Sequence, residues 1–144
     1  MTERKKLDRR ISADEVAVIR EALNVAATPT ERTALAKQLD GLWVVSACTC
    51  GCASVDFVAL NEERKSTPVA DAMAETARGG TVGIIVWGTS QQITGLEIYD
   101  LGAGPDDLRL PVLASIRRWY AGRERRQSSW NRPQVRGFYC AVAP

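Results

Sequence analysis

Thr81-Val-Gly-Ile-Ile-Val-Trp87 and Ile93-Thr-Gly-Leu-Glu-Ile-Tyr99 are two runs rich in β-branched and aromatic residues, separated by Gly88-Thr-Ser-Gln-Gln92. Apolar runs of this length around a short polar connection read as a β-hairpin. The hairpin sets the class of the fold, because two adjacent strands so joined run antiparallel. Upstream, Leu42-Trp-Val-Val-Ser-Ala-Cys48 reads as a buried strand, and a second is expected over 52–60 through Val55, Phe57 and Val58. Further upstream, Ser12-Ala-Asp-Glu15 is a capping box, and Val16, Ile19 and Leu23 follow at helical spacing. These signals predict a helix over 13–26. Thr28-Pro29 opens a second helix with Pro at its first position, lined by Leu35 and Leu39 and stopped by Gly41.

The remaining stretches complete the expected layout. Residues 1–11 are basic and read as frayed. Thr67-Pro68 opens an alanine-rich stretch closed by Gly79-Gly80, expected to form a short helix. Val112, Leu113, Ile116, Trp119 and Tyr120 mark an amphipathic helix over 111–121. Residues 138–142 read as a last strand or a loose tail. Helices precede strands rather than alternating with them, which favours α+β over a doubly wound sheet. The expected fold is an N-terminal helical hairpin packed on a mainly antiparallel sheet of four to five strands, followed by a C-terminal helix and a basic tail. Residues 1–121 form a single domain in this reading, and 122–144 a basic extension.

Composition narrows the chemistry. The 144 residues are 45% hydrophobic and 25% charged, as in an ordinary globular domain. There is no histidine, which removes the commonest general base and metal ligand together with Ser-His-Asp and Cys-His catalysis. The longest apolar run, around 84–87, is far too short for a membrane span. The opening Met-Thr-Glu-Arg-Lys-Lys leads into no apolar signal core, so a cytoplasmic protein with reduced cysteines is expected.

The formal charge of +2 hides a segregation. Residues 1–116 carry a net −4, and residues 117–144 a net +6. Arg117, Arg118, Arg123, Arg125 and Arg126 interleave there with Trp119, Tyr120 and Trp130. Arginine with aromatics is the composition of interface hot spots, and an acidic protein partner suits it. Nucleic acid is the alternative, with guanidinium groups on phosphate and rings stacking on bases. A solvated basic tail, or a cover for the acidic body, accounts for the same residues without a partner.

Cys48-Thr-Cys-Gly-Cys52 is the most unusual local feature. In a straight strand Cys48 and Cys52 would stand ~13 Å apart and neighbouring thiols ~7 Å apart. Sulfurs sharing a zinc ion lie only about 4 Å apart, so a common metal requires a bend, for which Gly51 is suited. Cys140 would supply a fourth sulfur if the tail folds back. The spacing differs from paired Cys-x-x-Cys zinc knuckles, and burial as small hydrophobes explains cysteines equally well. A redox or nucleophilic role would need an electropositive neighbour, such as an arginine. Asp56, Glu97 and Tyr99 form a further candidate set. They read either as a shallow pocket of acid, base or cation-binding groups or as side chains on the open, water-facing side of the sheet.

The segment Leu42-Trp-Val-Val-Ser-Ala-Cys-Thr-Cys-Gly-Cys-Ala-Ser-Val-Asp-Phe57, with Ile93-Thr-Gly-Leu-Glu-Ile-Tyr-Asp100 and Leu110-Pro111, resembles a family of small uncharacterised bacterial proteins. A Cys-Gly-Cys segment running into a Ser-Val-Asp strand, and a later Gly-x-Leu-Glu-Ile-Tyr strand, carry the resemblance over roughly residues 12–113. It implies no assigned reaction. In size and layout such domains are similar to toxin-neutralising immunity proteins. The functional expectation is therefore a non-enzymatic protein-interaction module, with an immunity-like inhibitor as its specific form. The alternative is a zinc-binding or nucleic-acid-binding protein using the cysteines and the arginine-rich C-terminus. An enzyme built on Asp56, Glu97 and Tyr99 is a third class.

Overall fold

The computed structural model describes residues 4–59 and 66–119. The described residues form seven antiparallel strands and two short helices: β1 (Arg4–Arg10), α1 (Ala13–Ala26), α2 (Pro29–Ala36), β2 (Trp43–Cys48), β3 (Val55–Asp56), β4 (Thr67–Glu75), β5 (Thr81–Gly88), β6 (Ile93–Asp100) and β7 (Arg117–Arg118). The strands form one sheet in the order β1-β2-β3-β6-β5-β4-β7. This corrects the expected helical hairpin on four to five strands, although the α+β character stands. Among the described residues no helix is long and apolar enough to cross a membrane.

The main core lies between α1 and one face of the sheet. Val16, Val18, Ile19, Ala22 and Leu23 of the helix pack with Val82, Ile84 and Val86 of β5 and with Leu96 and Ile98 of β6. The helix starts where its cap dictates. Ser12 Oγ accepts from the Glu15 N–H at 3.1 Å, and Glu15 Oε1 accepts from the Ser12 N–H at 2.9 Å. Both bonds satisfy amides that the first turn leaves without helical partners.

Three expected elements take another form. The alanine-rich stretch is strand β4, not a helix. Ala70, Ala72 and Ala74 alternate onto the buried face beneath α1, where small side chains let the helix come close, and Asp71 and Met73 point the other way. Here packing period outweighs the helix preference of alanine. Residues 4–10, expected to fray, form edge strand β1 against β2. No apolar stripe announces it; three of its charges are met by side chains from other elements, Arg4 by Asp56, Arg9 by Glu15, and Asp8 by the indole N–H of Trp43 at 2.6 Å. Charged side chains are what an edge strand tolerates.

The amphipathic helix expected over 111–121 is not formed by its described residues, 111–119. The chain forms a single 3-10 turn, Leu113–Ser115, and then β7. The Val112 N–H donates to the Glu75 carbonyl at 2.9 Å, and Ser115 Oγ accepts from the Glu75 N–H at 2.8 Å. Pinned twice to the end of β4, the backbone stays extended, and Val112 and Leu113 remain 45% and 46% exposed. The second expected strand shrinks to β3, and α2 ends at Ala36, well before Gly41.

On the face away from α1, the ring of Tyr99 lies flat over Gly83, its cross-strand partner. A Cβ at Gly83 would come within 2.1 Å of Tyr99 Cζ. Gly83→Ala should therefore displace the ring and destabilise the protein by about 1–3 kcal/mol, the usual cost of overpacking. Denaturant unfolding checks this, and a midpoint equal to wild type would contradict the packing. Glu15 gives a second expectation. Burial pushes its carboxyl up, but the Arg9 ion pair and the Ser12 amide pull harder, and the net is below the ordinary 4.5. Its contribution to stability is thus present above pH 4.5 and lost as pH falls below that value. Glu15→Gln should flatten the acid limb of a melting-temperature profile; an unchanged limb would count against the pair.

Candidate metal centre

The centre is built at the end of β2. Cys48 closes the strand, and the chain then turns through Thr49, Cys50 and Gly51 before running toward β3. Gly51 has φ +90°, a left-handed conformation that side chains with a Cβ adopt only with strain. Open space surrounds its Cα, so the backbone angle alone calls for glycine there. The exit of the turn is anchored across the sheet. The Ala53 N–H donates to the Leu108 carbonyl at 2.8 Å, and Ser54 Oγ accepts from the Ile98 N–H at 2.9 Å.

This turn does what a straight strand cannot. The sulfurs of Cys48, Cys50 and Cys52 all lie within 4.8 Å of one another. Cys48 Sγ and Cys50 Sγ approach to 2.9 Å in a thiol hydrogen bond. The Cys50 N–H donates to Cys48 Sγ at 3.4 Å, and the Cys52 N–H to Cys50 Sγ at 3.4 Å. Cys48 is buried, Cys50 exposed and Cys52 between the two, so the cluster opens to solvent on one side. Three sulfurs so placed have the spacing to hold one metal ion.

Cys52 is disulfide-bonded, whereas Cys48 and Cys50 are free thiols. The other cysteine of the sequence, Cys140, lies outside the described residues. A sulfur in a disulfide is no thiolate donor, so the described state is one in which the three sulfurs are gathered but not all available to a metal.

Charge around the centre comes from β1. Arg4 is the cross-strand neighbour of Cys48, and its guanidinium pairs with Asp56, which also accepts from Ser46 Oγ at 2.7 Å. Register places Cys48, Ser46 and Asp56 on the same face as Glu97, Ile85 and Asp71. Sequence reasoning missed Arg4 by treating its surroundings as a frayed basic end. No local pattern marks it, because its partners arrive from β2 and β3.

The other candidates are placed as follows. Asp56, Glu97 and Tyr99 do share one face but are buried there, not turned to water. Each is engaged in its own contacts: Asp56 with Arg4 and Ser46, Glu97 with the Trp87 indole N–H at 2.9 Å, and Tyr99 with Asp71 and Trp119. Of the C-terminal set, Arg117 pairs with Glu75 at 3.3 Å and Trp119 donates its indole N–H to Tyr99 Oη at 3.1 Å. Arg118 is exposed on β7. Tyr120, Arg123, Arg125, Arg126 and Trp130 lie outside the described residues.

No protein-family model, curated protein or solved structure matches this chain.

Burial, reinforced by the thiol contact with Cys50, pushes the Cys48 thiol up from its ordinary 9.0 to about 11, against a smaller opposing pull from the Cys50 amide and from Arg4. The folded chain thus holds this proton more tightly than the unfolded chain. The associated stability is full below pH 9 and is lost as pH rises through about 11. Across that window the melting temperature of Cys48→Ala should fall less than that of wild type. Parallel profiles would show that Cys48 does not titrate as its surroundings require.

Proposed function

We propose that this protein is a metal-binding module that holds zinc through the thiolates of Cys48, Cys50 and Cys52 in its reduced state. The observation that carries this reading is the gathering of three sulfurs within 4.8 Å by a turn that only glycine accommodates well. Four-coordinate zinc with Zn–S bonds of about 2.3 Å places its sulfurs about 4 Å apart. The cluster is within about an ångström of that spacing before any adjustment to an ion.

The donor set supports the choice of metal. Soft thiolates without imidazole favour zinc, Cu(I) or iron–sulfur centres over magnesium or calcium. The chain has no histidine to offer, so every side-chain nitrogen ligand of the usual kind is excluded. Cys140 is the thiolate this reading assigns to the fourth position. Exposed Cys50 supplies the route of entry.

The disulfide at Cys52 makes uptake conditional. A dithiol reductant must first exchange with it, itself becoming a disulfide, and return Cys52 and the sulfur bonded to it as two free thiols. Zinc then displaces the thiol protons as it binds. Metal binding and oxidation are therefore mutually exclusive at this sulfur. Holding the turn at the end of β2 by a metal would also fix the approach to β3.

The interaction-module reading rests on C-terminal residues of which Arg117 and Trp119 have internal partners. The cysteine geometry therefore provides the stronger basis for a function.

The test is native mass spectrometry of the full chain, reduced with a dithiol under anaerobic conditions and exposed to Zn²⁺. One zinc should bind per chain, be withdrawn by a chelator, and be lost in Cys50→Ser and Cys52→Ser. Protein oxidised by a hydroperoxide before exposure should take up none. Identical masses with and without zinc in the reduced protein would overturn the proposal.

A further inference from the structure

Arg4 presents an accounting problem that the metal reading resolves. Its side chain is only 11% exposed, on an edge strand where long cations normally reach water. Nη2 is held by Asp56, and Asp56 is fixed in turn by Ser46 Oγ at 2.7 Å. The Nε and Nη1 donors are buried and have no hydrogen-bond partner among the described residues. Buried donors in native proteins are nearly always satisfied, and an idle pair on a charged group calls for an explanation.

The residue opposite Arg4 in the ladder is Cys48. Directly paired residues of an antiparallel sheet project to the same face with Cβ atoms about 5 Å apart, within easy reach of a guanidinium. Cys48 belongs to the sulfur cluster, whose members lie within 4.8 Å of one another. Three thiolates with one zinc carry a net negative charge, and four carry more. That charge would sit on the same face as the Asp56 carboxylate, which is itself buried. Negative groups so placed need a cation that is fixed and dry.

We infer that Arg4 is the counter-cation of the thiolate centre: clamped by Asp56 and Ser46, it donates its Nε–H and Nη1–H to the sulfurs once they are anionic. This rests on the proposed metal site and assigns a specific electrostatic role to a residue outside the ligand set. Arginine suits the role because its donors are splayed in a planar fork, so one edge serves the carboxylate while the others serve sulfur. Asp56 is then a positioning residue, since it acts through the orientation of Arg4.

The experiment compares the wild type with Arg4→Lys, Arg4→Met, Asp56→Asn and the double variant Arg4→Met/Asp56→Asn. The double variant removes the cation without leaving a buried carboxylate unpaired, so it separates the electrostatic role from simple misfolding. The probe is Co²⁺ added to the reduced full-length protein, read by its sulfur-to-cobalt charge-transfer band and by its affinity. Loss of hydrogen bonds to sulfur raises the energy of the sulfur lone pairs and moves that band to longer wavelength. The double variant should bind cobalt about 10- to 100-fold more weakly, the usual range for lost outer partners of a metal site, with the band displaced. Arg4→Lys should retain part of the affinity, because it keeps the charge but not the fork.

Equal affinity and an unmoved band in a folded double variant would overturn the role of Arg4 while leaving the metal site intact. If the wild type itself binds no cobalt, the metal reading fails, and the inference is decided on the metal-free protein. Alkylation of Cys48 and Cys50 by iodoacetamide at pH 8 should then be several-fold slower in the double variant, with Arg4→Lys between the two. Equal alkylation rates would dispose of the inference as well.

Discussion

The sheet holds together across a seam two residues wide. β3 consists of Val55 and Asp56 alone, and it is the strand through which β1 and β2 join β6, β5, β4 and β7. So short a ladder contributes few backbone hydrogen bonds, and flanking contacts make up the difference. Ser54 bonds both the amide and the carbonyl of Ile98, the Phe57 amide donates to Thr94, and the Ala53 amide reaches Leu108. From the other side, Ser46 and Arg4 converge on the Asp56 carboxylate. An ion pair buried in this way does not add much net stability over apolar packing, but breaking it is costly, so it enforces register. A slip of one residue would turn Asp56 into the apolar core beneath α1.

That seam explains why the cysteine turn has the shape it does. Between Cys48 and Val55 the chain must reverse direction and re-enter the sheet as β2's antiparallel neighbour. With Ala47 opposite Val55, the apex of this reversal falls at Gly51; the bonds of Ala53 and Ser54 hold its exit, and the three sulfurs are gathered around it. The proposed metal chemistry is in this sense a product of topology. The ligand residues sit within five positions of one another, yet their convergence depends on contacts made with residues about fifty positions downstream.

Legibility in the sequence followed the same division. The 81–99 hairpin, the capped start of α1 and the strand ending at Cys48 rest on local signals: alternation, β-branching, a capping box. Those signals act within a few residues, and the structure has these elements. What misled was any element whose logic is supplied from elsewhere. Alanines at 70, 72 and 74 look helical until α1 is laid on them. The charges of residues 4–10 look unfoldable until Asp56, Glu15 and Trp43 are there to meet them. Residues 111–119 have helical spacing, but two bonds to Glu75 hold them extended. At the candidate site, the cysteines and the need for a bend were visible from spacing and ion size alone. Arg4 and its buried donors were not, because they depend on residues far along the chain.

Glu15 occupies a junction whose importance extends beyond its own helix. One carboxylate closes the capping box of α1 and takes both terminal nitrogens of Arg9 on the edge strand. The outermost strand therefore cannot peel from the sheet without also unlatching the helix that covers the core. In hydrogen-exchange terms, the amides of β1 and of the first turn of α1 belong to one opening unit, and this margin of the molecule yields as a block rather than residue by residue.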